Sequence, residues 1–169
     1  MLDIYVFDLD GVIVDPSERI KAVLLRLGLP LDIDVEKLKG SMKRRFWDLF
    51  LSPKMLHLDK PRDIGIEVLK DRMKRGKVII ITGRPISLRE PTIRELMEFG
   101  VEIDYKSNII FRPKGDLRPD YEYKASVISV LDNVVEVHDD SIRVLEAIRK
   151  VRPHVMLYLH YGNSYTVLG

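Results

Sequence analysis

Residues 6–15 read "VFDLDGVIVD". Val, Phe, Leu and Ile dominate the stretch, yet it also carries Asp8, Asp10 and Asp15. Aspartate is a poor strand former, because its side chain competes for backbone hydrogen bonds. Two carboxylates at the end of a buried strand therefore need a reason. The spacing predicts a strand over residues 3–8, ending at Asp8, with Asp10 two positions on and Gly11 available for a tight turn.

Outward from this segment, short β-branched runs alternate with helical patterns. "PSERIKAVLLRLG" (16–28) has Pro16 near its first turn and Gly28 after its last, as a helix does. A second helix is expected over "DVEKLKGSMKRRFWDLFL" (34–51), weakened by Gly40, and a third over "PRDIGIEVLKDRMKRGK" (61–77). "VIIITG" (78–83) is a continuous apolar run, the mark of a strand covered on both faces. Further helices are expected over 87–100, 121–133 and 141–151, the last with Ser141 as N-cap. Strands are expected over "NIIF" (108–111), "VVEVHDD" (134–140) and "HVMLYLHY" (154–161). The alternation implies an α/β fold, a three-layer α/β/α sandwich with a mostly parallel, Rossmann-like sheet and the Asp8 strand central. A small helical insert is expected at about 16–60, with residues 1–169 as one domain.

Composition bounds the rest. The chain has 169 residues, 46% hydrophobic and 32% charged, enough for one packed core. It has no cysteine, which excludes disulfides and thiolate metal sites. A formal net charge of +2 does not by itself argue for nucleic acid. No apolar run approaches the length of a membrane span, and "LDIYVF" opens without a signal-type stretch. A cytoplasmic protein without membrane contact is expected.

In parallel sheets ligands bind beyond the carboxyl ends of strands. Asp8 and Asp10 end one expected strand, Thr82, Gly83 and Arg84 a second, Asp139 and Asp140 a third. Carboxylates converging there repel one another unless a cation sits among them or their pKa values shift. Oxygen ligands without Cys or His favour Mg²⁺, which also takes phosphate oxygens. Thr82 and the Gly83 N–H could bind phosphate, Lys124 could neutralise it, and a carboxylate could attack phosphorus. Each motif alone has an ordinary reading: a turn pair, a helix cap, a strand-to-helix turn, a solvated lysine.

Taken in order, "DLDG", "ITGR", Lys124 and "HDD" resemble the four motifs of the haloacid-dehalogenase-like (HAD) phosphohydrolases. The resemblance implies Asp8 as nucleophile, Asp10 as general acid/base, Thr82 as phosphate binder and Lys124 as charge stabiliser. It implies Mg²⁺ held by Asp8, the Asp10 carbonyl and Asp139, with Asp140 supporting, and an aspartyl-phosphate intermediate. A narrower resemblance covers "RPKGDLRPDYEYK" (112–124). It is similar to the segment preceding the motif lysine in the 3′-phosphatase domain of phage polynucleotide kinase, matched by Arg112, Gly115, Asp116, Arg118, Asp120 and Lys124. Arg84 matches that subgroup too. By that resemblance Gly83, Arg84, Arg112, Asp116, Arg118 and Asp120 shape a substrate pocket for a nucleotide or polynucleotide 3′-phosphate. No P-loop is present, so no kinase half is expected.

Other readings stay open: a phosphatase for small metabolites such as sugar phosphates, or a non-catalytic nucleic-acid binding module. Residues 112–120 could equally be a solvated loop with local salt bridges. "KRRFW" (43–47) mixes cations and aromatics, which could stack on bases; the expectation is a helix with Phe46 and Trp47 packed inside. His57, His138, His154 and His160 show no ligand spacing, and His138 is expected to point away from Asp139 into the core.

Overall fold

A computed structural model describes residues 1–169. Six strands form the main sheet in the order β5-β4-β1-β6-β7-β8. They are β1 (Ile4–Phe7), β4 (Lys77–Pro85), β5 (Ile109–Arg112), β6 (Val134–Asp139), β7 (Met156–Tyr161) and β8 (Ser164–Leu168). The first five pair in parallel and only β8 runs antiparallel, against β7. The sandwich and the interior position of β1 are as expected.

Strand alternation decides which side of the sheet each residue serves. Tyr5 and Phe7 face a cluster with Ile66 and Leu69 of α3 (Asp63–Met73) and Leu96 of α4 (Arg89–Glu98). Val6, between them, faces the other way, onto Tyr123 and Ile128 of α5 (Asp120–Ser129) and Leu145 and Ile148 of α6 (Ile142–Val151). Each such buried side chain contributes about 1.5–3 kcal/mol by leaving water. The Ser141 hydroxyl accepts a bond from the Val144 N–H, the expected N-cap of α6.

Between Ile13 and Arg62 the chain leaves the sheet. Two short strands, β2 (Val14–Asp15) and β3 (Lys60–Pro61), pair as a stem. Beyond the stem lie α1 (Ser17–Arg26) and α2 (Gly40–Phe50), with 3-10 turns at Val35–Lys37 and Pro53–Leu58. Val23, Leu24, Leu38, Phe46, Phe50 and Met55 give this insert an apolar cluster of its own.

Four details differ from the sequence expectation. The helix expected over 34–51 is broken: Lys39 is extended, and Gly40 takes φ +60, which glycine allows at little cost. Trp47 is 38% exposed rather than packed inside, while Phe46 is buried as expected. The helix expected over 121–133 stops at Ser129, and Asn133 adopts φ 59 just before β6. The hairpin strand β8 and the two-residue stem carry too little alternation to be seen in sequence.

Candidate active site

Parallel pairing sets β1, β4 and β6 side by side in register, Phe7 opposite both Ile80 and His138. Asp8 and Asp139 therefore reach one edge beside Thr82, while β4 runs on past the expected end to Pro85. Carboxylate oxygens of Asp8, Asp139 and Asp140 all lie within 4.8 Å of one another. Lys124 projects from α5 into the same space. Its Nζ stands 2.8 Å from Asp8 Oδ1, 2.8 Å from Asp139 Oδ2 and 3.3 Å from Asp120 Oδ2.

One ammonium cannot neutralise three carboxylates. Burial pushes the Asp8 carboxyl well above the usual range, and the Asp139 charge pushes it further, against the pull of Lys124. Asp140 is raised to about 7, by burial first and by Asp139 second. Burial alone would lower the Lys124 ammonium, but Asp139, Asp8 and Asp120 hold it above its ordinary value. Three hard oxygen donors with excess negative charge, and no Cys or His among them, fit Mg²⁺. Asp8, Asp139 and Asp140 would hold it. Gly11 makes room for them: it has φ +89, and a Cβ there would lie 2.1 Å from Asp140 Oδ2.

Asp10 faces a different set of partners. Arg84 grips it with two bonds, Nε to Oδ2 at 3.0 Å and Nη2 to Oδ1 at 2.8 Å. Arg19, from α1 of the insert, donates to the same Oδ1. Burial opposes the charge on Asp10, but Arg84 and then Arg19 outweigh it and hold the carboxyl far below the usual range. Arg84 also donates to Thr92 Oγ1 (3.0 Å), Asp59 Oδ2 (3.2 Å) and Glu95 Oε1 (3.0 Å). Arg84 is buried, and these bonds fix its guanidinium against Asp10. Arg19 is wholly buried, bonded to Asp59 Oδ1 (2.9 Å) and the Phe50 carbonyl (3.0 Å).

No protein-family model and no curated protein sequence matches the chain. Solved structures do. A chain of the Pnkp1/Rnl/Hen1 RNA repair complex superposes with TM-score 0.60 at 20% identity, covering 96% of this chain and 44% of that one. A haloacid dehalogenase-like family hydrolase from Streptococcus pneumoniae matches with TM-score 0.63 at 13% identity, covering 92% and 83%. The fold is HAD-like. Protein Tyrosine Kinase A of Mycobacterium tuberculosis is also similar, with TM-score 0.61, 16% identity, and 95% and 86% coverage. The HAD-like fold thus accommodates different chemistries, and the site must argue its own. The present chain spans under half of the matched chain from the RNA repair complex.

On this HAD-like scaffold Thr82 is buried, and its Oγ1 accepts from the Arg84 N–H at 3.0 Å, across Gly83 within β4. A Cβ at Gly83 would lie 2.6 Å from Asp120 Oδ1. Arg112 closes the 112–120 loop onto this part of β4. It donates to the Gly83 carbonyl (3.3 Å), Asp120 Oδ1 (3.0 Å) and the Arg118 carbonyl (2.7 Å), with its guanidinium over the Tyr123 ring. Asp120 links that loop to Lys124. Asp116, half-buried, pairs with the exposed Arg118 at 2.7 Å and with Arg112 at 3.6 Å, and Gly115 turns the loop with φ +82. The structure thus brings Asp8, Thr82, Gly83, Asp120, Lys124, Asp139 and Asp140 together, and leaves Asp116 and Arg118 at the rim.

Arg19, Asp59 and Glu95 escaped the sequence reading. One signal was present: Arg19 lies one turn before the buried Val23, on the apolar face of α1, where an unpaired charge would be costly. His138 points away from the carboxylates, as expected, stacked between Phe7 and Tyr158 at 4.2 and 4.3 Å. A surface depression at the opposite end of the strands, lined by Met73, Met97, Val101 and Tyr105, includes no residue of this site.

Proposed function

We propose that the chain is a Mg²⁺-dependent phosphomonoester hydrolase acting through an aspartyl-phosphate on Asp8, with a nucleotide or polynucleotide 3′-phosphate as substrate. The observation that carries the reading is the Lys124 ammonium at 2.8 Å from both Asp8 and Asp139, beside a third carboxylate. Mg²⁺ bound there would neutralise the phosphate charge that otherwise repels an anionic nucleophile. The intact cluster speaks against a module that only binds.

Asp8 accepts a hydrogen bond from the Leu9 N–H at 2.7 Å, which orients its carboxylate at the strand end. An Asp8 oxygen bonds to phosphorus as the ester P–O bond breaks, and the departing oxygen takes a proton from Asp10. Lys124, Thr82 and the Gly83 N–H receive the charge on the equatorial oxygens. Water then adds to phosphorus, the Asp8–phosphorus bond breaks, and Asp10 takes the proton that water loses. The two guanidiniums hold Asp10 as the carboxylate in the free chain, so it takes up a proton from solvent before it serves the first step and returns one to solvent after the second.

The polynucleotide substrate rests on the resemblance over residues 112–124 and on the small size of the insert. The test is phosphate release with Mg²⁺ from a panel of 3′-phosphorylated oligonucleotides, nucleotides and sugar phosphates, with Asp8→Asn as control. Release from the oligonucleotides that the control lacks supports the reading. Rapid turnover of a sugar phosphate with untouched oligonucleotides replaces it with a metabolite phosphatase.

A further inference from the structure

Helix α2 of the insert has cations to spare. Lys43, Arg44 and Arg45 are exposed, as is Lys39 just before the helix. None of the ion pairs in the structure engages any of the four, and Asp48, the one acidic residue of α2, is likewise unpaired. Such a run alone would be a solvated face. What sets it apart is Trp47, the single tryptophan of the chain, 38% exposed on a helix whose Phe46 and Phe50 are buried.

The indole is held in place. It meets Phe46 and Phe50 edge-on, with centroids at 5.3 and 5.5 Å. On a helix, residues four apart share a side, so Lys43 stands one turn from Trp47, with Arg44 adjacent. Below, Phe50 lies under the Arg19 guanidinium at 4.0 Å, and Arg19 bonds to Asp10. Two contacts therefore lead from the exposed indole to the guanidinium that holds Asp10.

We propose that α2 is a docking surface for single-stranded nucleic acid whose terminal phosphate enters the Asp8 site. Trp47 stacks on a base near the end of the strand, and Lys39, Lys43 and Arg44 neutralise the phosphates beside it. A fixed aromatic face suits an unpaired base, whereas a duplex would keep its bases stacked on one another. This assignment deepens the phosphatase reading and rests on it for the position of the terminal phosphate.

The test compares two substrates, 3′-phosphorylated decameric oligothymidylate and p-nitrophenyl phosphate. In Lys43→Glu/Arg44→Glu and in Trp47→Ala, KM for the oligonucleotide should rise about tenfold or more at low salt. Unchanged kinetics on p-nitrophenyl phosphate would show that these variants fold. Titrating Asp8→Asn with unphosphorylated oligothymidylate should quench the Trp47 fluorescence, with a midpoint that weakens as salt rises. Unaltered oligonucleotide KM in both variants, or fluorescence that saturating oligonucleotide does not move, overturns the assignment. So does equal quenching by polyglutamate, which would mark an acidic polypeptide as the occupant. If no phosphomonoester turns over, the phosphatase reading falls, and the quenching experiment still decides the docking surface.

Discussion

Arg19 and Asp10 join the insert to the sheet edge. Arg19 comes from the first helix of the insert, yet its guanidinium donates to the carboxylate that stands two residues after Asp8. Arg84 grips the same carboxylate from β4, and Asp59 accepts from both arginines. The insert is thus anchored through the candidate acid/base itself, and its placement and that of Asp10 are one structural fact.

Removing Arg84 leaves Glu95 without an ion-pair partner and Asp10 and Asp59 with Arg19 alone. Arg84→Ala should cost about 3–5 kcal/mol of stability, since Asp10, Asp59 and Glu95 all lose its bonds. Arg19→Ala should cost a similar amount, but Asp10 keeps its paired bonds to Arg84. Urea unfolding of the two variants checks this. A loss under 1 kcal/mol in Arg84→Ala would mean that the network contributes little.

Asp10→Asn removes the proton-transfer group while Lys124 and the carboxylate cluster stay. Its effect should depend on the leaving group: a fall of about 10²–10⁴ in kcat for alkyl or nucleoside phosphates, and a much smaller one for p-nitrophenyl phosphate, whose leaving oxygen needs no proton. Equal losses on both would remove Asp10 from the acid role.

Mg²⁺ should stabilise the fold through Asp8, Asp139 and Asp140. At a hundred times its Kd, binding adds about 2.7 kcal/mol, on the order of 5–10 °C in Tm for a domain of this size. Melts with MgCl₂ against EDTA read the shift. Asp139→Asn should abolish most of it; an undiminished shift would place the ion elsewhere.

Gly11→Ala tests the crowding between the first and last motifs. It forces a side chain onto φ +89 and drives its Cβ toward Asp140 Oδ2, 2.1 Å away. A destabilisation of about 1–3 kcal/mol is expected, together with loss of the Mg²⁺-dependent Tm shift. Full retention of that shift would show that Asp140 can move aside without consequence.

Acid should unfold the protein through the buried histidines. Burial lowers His160 from 6.5 to about 3, with His138 and Arg62 adding to the effect, and burial lowers His138 as well. Both stay neutral in the folded chain, whereas the unfolded chain takes up their protons near pH 6.5. On their account the unfolded state binds more protons below that pH, and the histidine contribution to stability is lost as pH falls. The raised carboxyls of Asp8, Asp140 and Glu95 act the other way, because the folded chain keeps protons that the unfolded chain has lost. The histidine part is therefore read as a difference: the urea midpoint of His160→Asn relative to the parent should rise as pH falls from 7 to 5, and a difference independent of pH counts against a buried neutral His160.

The layered α/β fold was legible in the sequence, since the continuous apolar run at 78–81 and the helical periods around it admit few other arrangements. So was the position of Asp8 and Asp139 at the tips of their strands; β4 instead runs past Thr82 to Pro85. That Arg19 and Asp59, 40 residues apart, close around Asp10, and that Trp47 is partly exposed beside a buried Phe46, emerged only from the packed chain. Local propensity and hydrophobic period carry information over a few residues. Partners of a buried charge, and the side of a helix left uncovered, depend on how distant segments pack, and no local pattern records that.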